Sequence, residues 1–180
     1  MSNDLLKGFK YANLVDSGCV YQAKSATTAA VIAVPTTAAI FGIQNGESDG
    51  GKSYVVLAAG AIQIASAATM CTLALIHSPQ LIKPATAFTS DVTPTNMKPR
   101  AGTYGGQAIV DNAPTAVDNG WYPLSKPSAL NIASLFGANI FEQVEGMVVI
   151  PPGGTWCLSC IANATSVTVQ IHVVWAEIQL

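Results

Sequence analysis

From Val55 to Ile76 the chain runs 22 residues without a charged side chain. Such a run either crosses a bilayer as a helix or is buried inside a protein as strands. Gln63 in mid-span, Ser66, Thr69 and Thr72, an Ala-rich centre, unmarked ends without aromatic belts, and flanks without a Lys/Arg cluster all speak against the helix. A strand reading accounts for the segment better. Tyr54 to Leu57 is a short strand, Ala61 to Ala65 alternates, and Thr69 to Ile76 is a third run, with breaks expected at Gly60 and at Ser66-Ala67-Ala68.

The same pattern of short apolar run and turn recurs elsewhere. Thr28 to Val34 stops at Pro35, Ala39 to Ile43 stops at Asn45-Gly46, and Gly146 to Ile150 stops at Pro151-Pro152-Gly153-Gly154. At the C-terminus Val167, Val169, Ile171, Val173 and Trp175 alternate with Thr168, Gln170, His172 and Val174. A period of two is that of a strand, and its apolar last residues predict a central one. Residues 79–127 read as a long Pro-rich loop excursion carrying Phe88, Tyr104, Trp121 and Tyr122. One helix is expected at Ser128 to Phe136, between Pro127 and Gly137. The expected fold class is all-β, a jelly-roll-like antiparallel β-sandwich over residues 26–180, preceded by an N-terminal arm at 1–25 that clasps a neighbour.

Composition narrows the partners. Half of the residues are apolar and 10% are charged, against roughly 25% charged in an average soluble domain. So few charges cover a globule thinly, and much of the surface is expected inside an assembly. With 8 Lys+Arg against 10 Asp+Glu the net charge is -2, and the close cationic pair Lys98 and Arg100 is too little for phosphate neutralisation. No nucleic-acid partner and no membrane partner are expected. The opening MSNDLLKGFK lacks the apolar core of a secretion signal.

Three motifs imitate chemistry. Gly46-Glu47-Ser48-Asp49-Gly50-Gly51-Lys52-Ser53 has the letters of a phosphate-binding loop. That loop needs a helix opening at the Lys, whereas Ser53-Tyr54-Val55-Val56 favours strand, and Glu47 and Asp49 would repel a polyanion. A polar hairpin turn is the expectation, with a nucleotide-binding enzyme as the unfavoured alternative. Trp156-Cys157-Leu158-Ser159-Cys160 resembles the redox W-C-x-x-C motif, which depends on a helix N-terminus. In an extended chain residues three apart point to opposite faces, so the two thiols should diverge. Cys19, Cys71, His77 and His172 lie on scattered segments without the close spacing of a zinc site. His172, alternating with core positions, is expected at solvent or at a subunit seam. No catalytic residue, cofactor or metal is expected.

Ile40-Phe41-Gly42-Ile43-Gln44-Asn45-Gly46 through Gly51-Lys52-Ser53-Tyr54-Val55-Val56-Leu57 resembles the strand, Asn, Gly-rich turn, Lys, strand element of small phage and environmental-virus structural proteins. Val148 to Trp156 followed by Val167 to Glu177 is similar to their late hairpin. The resemblance implies a tumour-necrosis-factor-like jelly roll, a homotrimer, and a place in the virion, as a bacteriophage capsid decoration or cement subunit contacting the major capsid protein. The alternative it implies is the receptor-binding head of a fibre or spike. Phe88, Tyr104, Trp121, Tyr122 and Trp175 are the candidate interface anchors, because aromatic side chains dominate interface energetics.

Overall fold

A computed structural model describes residues 11–65, 70–80, 86–131, 139–164 and 166–180. One short helix, α1 (Ala12–Asp16), precedes β1 (Val20–Lys24), β2 (Thr28–Ala29), β3 (Phe41–Asn45), β4 (Ser53–Ala65) and β5 (Met70–Gln80). Then come β6 (Thr95–Asn96), β7 (Ala108–Asn112), β8 (Tyr122–Pro123), β9 (Ser128–Asn131), β10 (Asn139–Gln143), β11 (Val149–Ile150), β12 (Thr155–Ala162) and β13 (Thr168–Ile178). They form two antiparallel sheets packed face to face. The seven-stranded sheet runs β10-β4-β13-β1-β6, with β11 on β4 and β2 on β13; the six-stranded sheet runs β7-β3-β12-β5-β8, with β9 on β5. Strands β3, β4 and β5, and again β10, β12 and β13, pass from one sheet to the other along the chain. The fold is all-β and jelly-roll-like.

The alternation of β13 places Val169, Ile171, Val173 and Trp175 in the core, none of them exposed. The strand is central, with β4 on one side and β1 on the other. Opposite it, β12 contributes Trp156, Leu158 and Cys160, while β3 and β5 add Phe41, Ile43, Leu73 and Leu75. A bulge between Val174 and Trp175 shifts the register against β4, from Ala58 to Val56. Such a bulge re-aims the following side chains, and Trp175 stays inward.

Several expectations need correction. Gly60 does not break a strand: β4 passes through it unbroken. Thr28 to Val34 shortens to β2, with Ile32 and Val34 exposed. The strand expected at Ala39 to Ile43 lies at Phe41–Asn45, and that expected at Gly146 to Ile150 keeps only β11. The helix expected at Ser128 to Phe136 begins instead as β9, paired with β5 from Met70 to Leu73; its residues 132–136 lie outside the described residues. Pro127 and Gly137 bracket that segment as they would a helix, but the edge of β5 offers ready-made partners for its backbone groups, and tertiary pairing overrides local signals. The excursion at 79–127 folds back onto both sheets as β6, β7 and β8. Of the expected arm at 1–25, residues 1–10 lie outside the described residues, whereas β1 is an inner strand of this chain's own sheet.

Candidate functional site: the outer face of the seven-stranded sheet

The two outer faces of the sandwich are covered differently. On the six-stranded sheet, Phe88 lies across Gly42 and packs with Ala39, Ala116 and Cys157, with Trp121 at its margin. A Cβ at Gly42 would stand 2.6 Å from the Phe88 ring, so the glycine is what lets the ring lie flat on the sheet. On the seven-stranded sheet, α1 covers one end only. Leu14 and Val15 of the helix pack with Val20, Leu57, Val174 and Ala176. Beyond it Ile62, Ile64 and Phe141 stand exposed.

Register arranges this face in rows. Phe141 pairs with Gly60, Gly60 with His172, and His172 with Lys24. The next row is Asn139, Ile62 and Gln170; on the other side run Gln143, Ala58, Val174, Gln22 and Thr95. Gly60 leaves a gap in the first row, and across it the rings of Phe141 and His172 stack at 5.7 Å with planes 20° apart. A Cβ at Gly60 would stand 2.4 Å from His172 Cε1 and 2.6 Å from the Ile140 carbonyl oxygen. Burial pushes the His172 imidazole below its ordinary pKa, which keeps it neutral around pH 7.

The face is two-sided in chemistry. Towards β10 and β11 it is apolar: Phe141 is 55% exposed, Ile64 48%, Ile62 43% and Val149 43%. A shallow apolar groove of about 200 Å³ runs between Tyr11, Val15, Met97 and Phe141. Towards β1 and β6 the face is polar, and a cleft of about 720 Å³ opens beside Gln22, Lys24, Gln170 and His172.

The aromatic anchors expected from the sequence are not on this face. Trp175 is fully buried in the core, because the central strand turns it inward. Phe88 is buried under its own sheet's cover. Tyr104 is half-buried, its ring edge-on to Tyr21 at 4.9 Å and its hydroxyl donating to Glu177 Oε1 at 2.6 Å. These three are therefore intrachain contacts, a correction that follows from the excursion folding onto its own sandwich. Trp121 packs beside Phe88 and donates from Nε1 to the Thr36 carbonyl at 3.3 Å. Tyr122 alone of the five is exposed, at 52%, its ring 6.1 Å from that of His77.

The motifs resolve as follows. Residues 46–52 join β3 to β4, which lie in different sheets, so the segment is a crossing between sheets and not the expected hairpin. Ser53 opens a strand, leaving no helix N-terminus for a phosphate. Asn45, fully buried, holds the crossing: its Nδ2 donates to the carbonyls of Lys52 at 2.8 Å and Ile150 at 3.0 Å, and its Oδ1 accepts the Glu47 N–H at 3.0 Å. Cys157 and Cys160 face opposite ways, Cys157 beneath Phe88 and Cys160 in the core. Burial pushes the Cys157 thiol up to about 12, so it is no nucleophile. His77 Nδ1 accepts the Trp156 indole N–H at 3.0 Å. Among the described residues no group of three His, Cys, Asp or Glu side chains could hold a metal ion, and no helix is long and apolar enough to cross a membrane.

Sequence reasoning missed Ile62, Ile64 and Phe141. Ala61 to Ala65 does alternate, but in the opposite phase: Gln63 is buried at 6% exposure while both isoleucines face out. The one available signal was that a strand with its polar residue inward must leave its large apolar ones outside.

No protein-family model and no curated protein matches the chain. Among solved structures, a chain from the structure of deformed wing virus carrying the GFP gene aligns over 98% of this chain and 83% of that one, at 12% identity and a TM-score of 0.27. A superposition that loose carries no argument about shared fold or function.

Proposed function

We propose that the chain is a virion structural protein, a capsid decoration or cement subunit that works by burying surface. Its partners are copies of itself, as a homotrimer, and the major capsid protein. No catalytic step enters this reading. The observation that carries it is the apolar part of the seven-stranded sheet's outer face, where Phe141, Ile62 and Ile64 stand exposed at neighbouring positions. Contiguous apolar surface of that kind marks an interaction site. The low charge content supports the same conclusion, since an interface core is depleted in charged residues.

The test is the mass of the purified chain in solution, measured by light scattering at about 10 μM, where association with a dissociation constant well below that is largely complete. The expected result is three times the chain mass, falling to one in Phe141→Asp with an unchanged strand signal in circular dichroism. A monomeric parent chain would overturn the proposal. As a check on the phosphate-loop letters, millimolar ATP or GTP with magnesium should leave the melting temperature unmoved.

A further inference from the structure

The polar half of the same face holds a second feature that shell assembly does not use. We infer that the cleft between β1, β13 and the segment at 91–95 is a binding site for a neutral oligosaccharide. This goes beyond the assembly reading, and a monomer would bind the same ligand.

The cleft, about 720 Å³, falls inside the range of roughly 300–1,000 Å³ typical of small-ligand sites. Its floor is the outer face of β1 and β13, with Gln22, Lys24, Gln170 and His172. Its far wall is Asp91 and Asn112, which are held by the chain itself. Asp91 Oδ1 accepts the Asn112 N–H at 2.9 Å, and Asn112 Oδ1 accepts the Ala26 N–H at 2.6 Å. Each is thereby fixed through one atom, leaving Asp91 Oδ2 and Asn112 Nδ2 for a ligand. Preorganisation of this kind reduces the ordering cost of binding.

The balance of these groups selects the ligand. Gln22 and Gln170 each offer one acceptor and a donor pair, Lys24 donates, the Asp91 carboxyl oxygen accepts, and Asn112 contributes its amide N–H groups. One ammonium and one carboxylate cancel. A ligand meeting four donor groups (Gln22, Gln170, Lys24, Asn112) and three acceptor groups (Gln22, Gln170, Asp91), with no net charge to neutralise, is one whose groups do both, which is the property of a sugar hydroxyl. Ile62, Val92 and Ala26 in the lining supply apolar surface for the C–H face of a pyranose ring. An anion would find one cation and a facing carboxylate. A peptide strand binds by adding to a sheet edge, whereas the groups gathered here, Gln22, Lys24, Gln170 and His172, are side chains on a sheet face.

The full chain, isotope-labelled, is titrated by NMR with N-acetyllactosamine, chitotriose and maltotriose, and separately with sialyllactose and inorganic phosphate as anionic arms. At least one neutral sugar should bind with a Kd of about 1 mM or tighter. The shifted signals should centre on Gln22, Lys24 and Asn112. Gln22→Ala and Gln170→Ala, both substitutions on the sheet's outer face, should each weaken binding by about ten-fold with the rest of the spectrum preserved. No binding of any neutral sugar at about 10 mM, tighter binding of an anionic probe than of every neutral one, or shifts centred away from the cleft would overturn the assignment.

Discussion

Glu177 shows how one side chain can set a pH dependence. It is 2% exposed, and its Oε1 accepts from Tyr104 Oη at 2.6 Å and Trp175 Nε1 at 3.3 Å. Burial raises its pKa more than those bonds and the Lys52 charge lower it. A carboxyl raised on folding contributes stability below its unfolded pKa and loses it as the pH rises through the folded value. His77 and His172 are lowered by burial, so their contribution runs the other way, present above the unfolded imidazole pKa and lost as the pH falls through the folded one. Glu177→Gln removes the first effect. Its stability relative to the parent, from urea denaturation, should therefore be most favourable near about pH 8 and decline towards about pH 4; a difference independent of pH would show that the carboxyl titrates normally. Asn45 is the other buried polar residue on which the fold leans. Asn45→Ala leaves the Lys52 and Ile150 carbonyls and the Glu47 N–H without their side-chain partner, at a cost of about 2–4 kcal/mol in the same assay.

Among the elements, β4 and β13 define the site, because their pairing brings Gly60 under His172. Gly60→Ala forces the imidazole or the β10 backbone to move, since the added carbon meets both below 3.0 Å. The expected cost is about 1–3 kcal/mol, with loss of the ring-current shifts that the Phe141–His172 stack imposes; unchanged His172 ring signals would mean that the stack is absent in solution. Gly60 reads in the sequence as a strand break, and only the facing strands reveal it as the space for a ring. The opposite holds for α1. It spans five residues, with no side-chain cap at its N-terminus, and so short a helix does not persist on its own. It exists because Leu14 and Val15 have an apolar sheet face to lie on.

For the whole molecule, the consequence of a half-covered face is that stability should depend on concentration. Association that buries Phe141 and Ile62 stabilises the folded chain by mass action, so the melting temperature should fall by a few degrees for about each ten-fold dilution. Phe141→Asp should melt at the same temperature at every concentration. A parent chain with no such dependence would mean that the face stays uncovered. The sandwich itself should survive this substitution, because Phe141 lies outside the core formed by Trp175, Trp156, Leu158 and their neighbours.

The sequence by itself determined the all-β class, the central place of the last strand and the divergence of Cys157 from Cys160. Each follows from the two-residue period of an extended backbone, a property carried by neighbours in the chain. The tertiary structure alone decided which side of that period faces inward at Ile62, Gln63 and Ile64, where the loop aromatics come to rest, and which residues share a row across the sheet. Those outcomes depend on register between strands far apart in sequence, and a shift of one residue in register exchanges the inner face for the outer.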